Sequence, residues 1–412
     1  MSFPILLILT VSLLLSCGAT REAVPAPPVE SASENVQVTP EDSAPEPVSV
    51  NTLSADTVSE DTVSEDSVSD DSVSEDSVSE DSVSEDSVSE DSASEDEAKK
   101  PKKPKPINMI IDTDFTTDAD DVAALRVATS LAKLGKINIV GAMGSGPGEG
   151  VPRGIHACLC YDGFPNVPVG QGHHDDIPID EIYTWGLAGR YWDGATYNCA
   201  DSVDQYKNVL TQYALKGEKV RIVVIGFLVN IADLLADPEG YMLVASTVDS
   251  IWIDGGVYPD KGTDFNFCFG GGVTEAAIFT FNHCPVPMCF ITNATGADTA
   301  RAVKCGSQLS VLDPGMVDPV HLAYDAFEKC YEKDLSGGHF AYDALAVWAA
   351  ALDSTESYLT LTPVIAEMFP NGCNLFTPTD DPNSLRFIVE RALPGLEFYE
   401  ASIDALIYAG VK

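Results

Sequence analysis

Ten residues, Asp112-Thr113-Asp114-Phe115-Thr116-Thr117-Asp118-Ala119-Asp120-Asp121, carry five carboxylates and follow directly on the apolar run Ile107 to Ile111. At an effective dielectric near 20, two carboxylates about 4 Å apart repel by roughly 4 kcal/mol, a large fraction of the stability of an ordinary domain. A cluster of this density calls for protons or a cation. Acids in the first turn of a helix are favoured by the helix dipole, which accounts for one or two of the five as a plain N-cap. Hard-cation binding accounts for more, since Ca2+ takes about six to eight oxygens from carboxylates, carbonyls and water.

The elements that must hold this cluster alternate along the chain. Strand patterns fall at Asn108 to Asp112, Ile137 to Met143, Val220 to Ile225, Ser250 to Ile253 and Val286 to Thr292. Helical patterns fall at Asp118 to Leu134, Asp201 to Leu215, Asn230 to Ala236, Val273 to Phe281, Pro319 to Lys333 and His339 to Leu352, with a last helix ending near Gly410. Such alternation predicts an α/β domain over residues 107–412, a mostly parallel central sheet flanked by helices, with ligands held at the carboxyl ends of the strands. The acidic cluster stands at the end of the first strand, with Asp112 and Asp114 two residues apart and facing one crevice. Asp118, Asp120 and Asp121 stand at the start of the helix that follows.

The first hundred residues are a different kind of sequence. Residues 1–98 hold 24 acids against the single Arg21, and the remainder 40 acids against 22 bases, so the two parts are read separately and both are acidic. Without a basic stripe, the composition argues against binding to a nucleic-acid backbone as the main activity. From Asp56 to Glu95 a pentad of the type Asp-Ser-Val-Ser-Glu runs eight times. A period of five gives neither a helix nor a strand an apolar side, and the charge density predicts a disordered, extended spacer. Its serines, each beside acids, are candidate phosphorylation sites. The segment 18–106 closes with the Lys/Pro stretch Lys99 to Pro106.

The apolar run Ile5 to Leu15 is too short to span a bilayer and has the length of an export signal, which places the signal at residues 1–17. Its ending, Leu14-Leu15-Ser16-Cys17, resembles a lipobox, although no Lys or Arg precedes the run. The expectation is an exported protein, either secreted or lipid-anchored through Cys17 at the cell surface. Nine further cysteines show no zinc-ligand spacing.

Four segments in order resemble the inosine-uridine-preferring nucleoside hydrolases: Asp112-Thr113-Asp114 with Asp120-Asp121 and Val122 to Leu125; Val223 to Asn230; Thr263 to Phe267; and Tyr342-Asp343-Ala344-Leu345-Ala346. The resemblance covers nearly all of 107–412. It implies calcium-dependent cleavage of the N-glycosidic bond of a nucleoside, with Asp114 both touching the ion and acting as general base on the attacking water. Asp121, Asp343 and the carbonyl of Ile225 would be further ligands, with Asp112 beside them, and Asp120, Asp264 and Asn266 would hold the ribose. Dimers and tetramers are common in that family, so a homo-oligomer is implied as well.

The departures fall in the same motif. Phe115-Thr116 stands where the family has Pro-Gly, and five residues rather than three separate Asp114 from the Asp pair. Asp264 replaces a Glu, and Gly144-Ser145-Gly146 stands where the family has an Asn. Tyr342 replaces the His that precedes the late Asp, which leaves Tyr342 and His339 as candidates to protonate the leaving base. Stacking from the segment with Tyr183, Trp185, Tyr191 and Trp192 is the alternative, against ordinary aromatic packing. His173-His174-Asp175-Asp176 is either a solvated loop or a metal site. Two other functions compete: a haloacid-dehalogenase-like phosphatase with Asp112 as phosphoryl acceptor, and a non-catalytic calcium- or ribose-binding protein.

Overall fold

The computed structural model describes residues 105–116, 118–192, 199–293, 302–352, 358–392 and 395–412; the signal-like run, the acidic repeat and the Lys/Pro segment as far as residue 104 lie outside them. Strands β1 (Ile107–Thr113), β2 (Ile137–Gly144), β3 (Val169–Gln171), β4 (Ala200–Asp201), β5 (Val220–Ile225), β6 (Val248–Asp254), β7 (Gly262–Thr263) and β8 (Met288–Ile291) belong to one sheet. Strands β9 (Lys304–Cys305) and β10 (His339–Phe340) form a separate antiparallel pair. Strands β11 (Leu359–Met368), β12 (Cys373–Pro378) and β13 (Arg386–Arg391) complete the large sheet, whose order is β4-β3-β2-β1-β5-β6-β8-β13-β11-β12-β7. From β4 across to β13 every pairing is parallel, and the last three strands are joined antiparallel.

The helices are α1 (Asp120–Lys133), α2 (Gly150–Asp162), α3 (Thr184–Tyr191), α4 (Ser202–Lys216), α5 (Val229–Ala236), α6 (Pro238–Thr247), α7 (Val273–His283), α8 (Leu309–Leu312), α9 (Pro319–Tyr331), α10 (Tyr342–Ala350) and α11 (Glu397–Tyr408). They cover both faces of the sheet, and strand periodicity decides which residue meets which layer. Met109 and Ile111 of β1, with Val223 and Ile225 of β5, pack with α1, α2, α9, α10 and α11. Ile110, Ile222 and Val224 point the other way, into α4, α5, α6 and α7. Met109, Ile110 and Ile111 are wholly buried. Each such side chain contributes roughly 1.5–3 kcal/mol, which anchors a strand whose end carries unfavourable charge.

Each strand anticipated above is present within two residues of its expected ends, and so are the helices apart from the late one. That helix begins at Tyr342, because the backbone at His339 and Phe340 is extended and pairs with Cys305 and Lys304. Helix α4 is closed as its sequence dictates, with the Asp201 carboxylate accepting from Val203 N–H and Asp204 N–H and Gly217 in the left-handed conformation at its end. No helix among the described residues is long and apolar enough to cross a membrane.

Candidate active site

The first residues of α1 do not cap it. The N-cap is Ala119, with no side-chain cap, and Asp120 and Asp121 instead turn toward β1 and α10. Asp121 accepts from the Thr113 hydroxyl, from Phe115 N–H at 3.2 Å and from the Tyr183 hydroxyl at 3.1 Å. Asp120 accepts from Asp343 N–H at 3.1 Å, which ties the start of α1 to the start of α10. Asp114, Asp120, Asp121 and Asp343 are all buried. The plain N-cap account therefore fails for these acids, whose partners belong to other elements.

Asp114 leaves the end of β1 between two glycines. A Cβ on Gly226 would come within 2.4 Å of Asp114 N, and one on Gly146 within 2.1 Å of Asp114 O, so the chain just beyond the ends of β2 and β5 must be glycine at these two positions for Asp114 to pass. The next residue, Phe115, is buried and has φ +49°, a left-handed conformation that costs about 1–3 kcal/mol outside glycine. Its ring offsets that cost by packing edge-on against Tyr183 at 5.4 Å, in space left by Gly154. This is how Phe115-Thr116 replaces Pro-Gly.

Asp112 points to the opposite layer, as its place in β1 requires. Tyr206 Oη donates to it at 2.7 Å, and Asn230 Nδ2 reaches its two oxygens at 3.1 and 3.2 Å while also donating to Gly144 O. As a metal ligand it would share these oxygens with Tyr206 and Asn230. Ile225, the last residue of β5, lies in register beside Thr113 and precedes Gly226.

Electrostatics set the character of the crevice. Burial raises Asp114, Asp120 and Asp343 well above the ordinary carboxylate range, and each is pushed further by charged neighbours, Asp121, Asp118 and Asp120 leading respectively. Burial lifts Asp121 to about 7, and lifts Asp112 to about 7 against the pull of Tyr206 and Asn230. Asp118 goes the other way: burial acts upward, but the hydrogen bond and charge of His339 bring it net below the usual range. Carboxylates this close, from three elements, have the chemistry of a divalent cation's donor set.

Asp264 and Asn266 stand on the short turn Phe265–Phe267. Asp264 caps it through Asn266 N–H at 2.9 Å, and Asn266 Nδ2 donates to Asp254 O at 3.1 Å. Asp254, at the end of β6, is raised by burial and by the charges of Asp264, Asp118 and Asp121, so it belongs to the same crevice. Sequence reasoning passed over it, although a strand ending Ile253-Asp254-Gly255-Gly256 carries the same signal as the end of β1. Asn230 was read only as part of a motif and is the brace of Asp112.

Tyr342 is half-buried and stacked on Phe340 at 5.2 Å, and burial followed by the charges of Asp120, Asp118 and Asp254 raises its phenol, so it keeps its proton at neutral pH. His339 is buried between Tyr324 and Phe327 and bonded through Nε2 to Asp118. Tyr183 serves the carboxylates rather than stacking on a ligand, whereas Trp185 is exposed. His173 and His174 face Asp201 and Asp233 at 3.6 and 3.5 Å.

No family model matches the chain. No curated protein matches it either. Among solved structures it is similar to a plant nucleoside hydrolase, at 17% identity and TM-score 0.55 over 74% of this chain and 99% of the other. It is also similar to the type III effector XopQ in complex with adenosine diphosphate ribose, at 18% identity and TM-score 0.53 over 74% and 95%. An inosine-uridine preferring nucleoside hydrolase from Bacillus anthracis matches at 12% identity and TM-score 0.51 over 74% and 99%. At these identities the likeness is one of architecture: the domain carries the nucleoside hydrolase fold.

Proposed function

We propose that the protein hydrolyses the N-glycosidic bond of ribonucleosides, giving ribose and free base, with a calcium ion held by Asp114, Asp121, Asp343 and the carbonyl of Ile225. The observation that carries this reading is the convergence of buried carboxylates from the end of β1, the start of α1 and the start of α10 at the carboxyl edge of a nucleoside hydrolase fold. When bound, the cation supplies charge for the carboxylates and lowers the pKa of water beside it. Asp114, clamped by Gly226 and Gly146, takes the proton of the attacking water. Asp120, Asp264 and Asn266 orient the sugar hydroxyls. The ring of carboxylates favours the positive charge that builds on the sugar as the bond to the base breaks. Tyr342, which holds its proton, is the donor to the departing base.

The acidic crevice favours a neutral nucleoside over a phosphorylated one, since phosphate would face carboxylates with one imidazole among them. A second reading, a calcium- and ribose-binding protein without turnover, finds support in the rebuilt turn at Phe115. One experiment separates them. The full chain is incubated with a panel of purine and pyrimidine nucleosides and their 5′-phosphates, with calcium or with chelator, and free ribose is measured. Ribose release that requires calcium and prefers nucleosides supports the hydrolase; calcium binding without release from any nucleoside refutes it and leaves the binding protein.

A further inference from the structure

Beside the ring of oxygens stands a group of different composition. Asp118, Asp120 and His339 each bring one ligand atom within 4.8 Å of the other two. The His339 side chain is 4% exposed, and Tyr324 and Phe327 hold its ring with centroids 5.4 and 4.6 Å away, so that Nε2 is directed at Asp118. The carboxylates are held by backbone donors: Asp118 Oδ1, the oxygen that meets His339, also accepts from Ala119 N–H at 2.8 Å, and Asp120 accepts from Asp343 N–H at 3.1 Å. The Asp118 side chain is 43% exposed, which opens the group to solvent on one side.

One divalent ion does not balance this crevice. Asp114, Asp118, Asp120, Asp121, Asp254, Asp264 and Asp343 act electrostatically on one another, and among the described residues His339 is the cation-forming side chain that meets them. An ion on Asp114, Asp121 and Asp343 leaves Asp118 and Asp120 with ligand atoms within 4.8 Å of one another and of the His339 imidazole. The donor type also differs, because calcium takes oxygen ligands whereas a preset imidazole with two carboxylates suits Zn2+, Mn2+, Fe2+ or Co2+. Asp118 itself lies in the stretch between Asp114 and the Asp pair that is longer than the family spacing, so the third ligand exists because the turn was rebuilt.

We infer that Asp118, Asp120 and His339 form a second metal site, selective for a first-row transition ion and adjacent to the oxygen-lined site. Its ion would sit beside Asp120, the carboxylate assigned to the sugar, and would supply positive charge at the edge of the crevice that the first ion does not reach. The inference stands on the ligand group and does not require turnover.

The test uses the full chain stripped of metal, saturated with Ca2+ and titrated with Co2+, read by metal content per chain and by the visible absorption of bound Co2+. The expected result is one Co2+ bound in addition to Ca2+. His339→Gln and Asp118→Asn should each weaken Co2+ at least about tenfold while keeping Ca2+. Asp343→Asn should lose Ca2+ and keep Co2+. Retained Ca2+ in His339→Gln reports an intact crevice, and if that variant does not fold, Asp118→Asn, altered at a part-exposed side chain, decides. Co2+ that only displaces Ca2+, so that the sum never exceeds one per chain, overturns the inference, as does unchanged Co2+ affinity in the variants. Ribose is not measured, so failure here and failure of the hydrolase reading are distinguishable.

Discussion

Removing calcium should lower the melting temperature of the full chain by roughly 5–10 °C. The scale comes from the crevice. Burial aside, Asp121 pushes up Asp114, and Asp121 and Asp114 push up Asp343; two full charges about 4 Å apart at an effective dielectric near 20 repel by about 4 kcal/mol. That energy is not recovered in full, because burial and mutual repulsion already raise Asp114, Asp120 and Asp343, so the metal-free protein relieves part of the repulsion by taking up protons. A cation at about a hundred times its dissociation constant contributes about 2.7 kcal/mol through binding to the folded state alone. At about 2–4 °C per kcal/mol for a domain of this order of size, that gives the stated shift. The assay is thermal unfolding in metal-free buffer, in calcium, and in calcium with excess chelator, with sodium chloride at matched ionic strength as the control for general screening. A shift below about 1 °C, or one that sodium chloride reproduces, or one that survives in Asp343→Asn, would refute the reasoning.

Further predictions concern pH, packing and the clamp on Asp114. Asp112 and Asp121 are lifted by burial to about 7; an acid raised in the folded state stabilises fully below its unfolded value near 4 and loses that contribution as pH rises through 7. The metal-free chain should therefore resist denaturant better at pH 5 than at pH 8, and calcium should flatten the difference by competing with protons. Equal metal-free stability at both values would contradict it. Arg126 is 1% exposed, with Nε on Asp162 and Nη1 on Asp318, both at 2.9 Å. Arg126→Ala removes the guanidinium from two buried carboxylates, leaving Asp162 with only the Thr129 hydroxyl and the more distant Lys133, and should cost about 3–5 kcal/mol, read by urea unfolding, whereas a change within about 1 kcal/mol would show that the fork is not needed. Gly226→Ala places a Cβ 2.4 Å from Asp114 N and should lower kcat/KM about a hundredfold by displacing the base, with circular dichroism unchanged. Full activity in that variant would remove the clamp from the account.

Strands β1, β2, β5, β6 and β8 were legible because parallel strands buried on both faces read as apolar runs with helices between them. The end of β1 was legible as a site because charge density has no bland explanation there once the N-cap fails. What stayed hidden depends on partners distant in sequence. Asp112 and Asp114 look equivalent two residues apart, but Asp112 lies within β1 and meets Tyr206 and Asn230, whereas Asp114 lies beyond its end at Thr113, where the chain turns through Phe115. His339 reads as a helix start, but pairing with Cys305 makes it a strand residue directed at Asp118, more than two hundred positions earlier. Strand β11 gave a weak signal because it mixes exposed Thr and Glu with Ile and Leu, and it is paired antiparallel on both sides.

The account turns on whether Asp114 acts on the attacking water. The decisive measurement is kcat for ribose release by Asp114→Asn beside the unaltered protein, at saturating nucleoside and calcium, with calcium content determined in both. The account predicts a fall of about 10²- to 10⁴-fold in a variant that still holds calcium. A variant with calcium bound and kcat within about threefold of the unaltered protein would show that Asp114 is not the base.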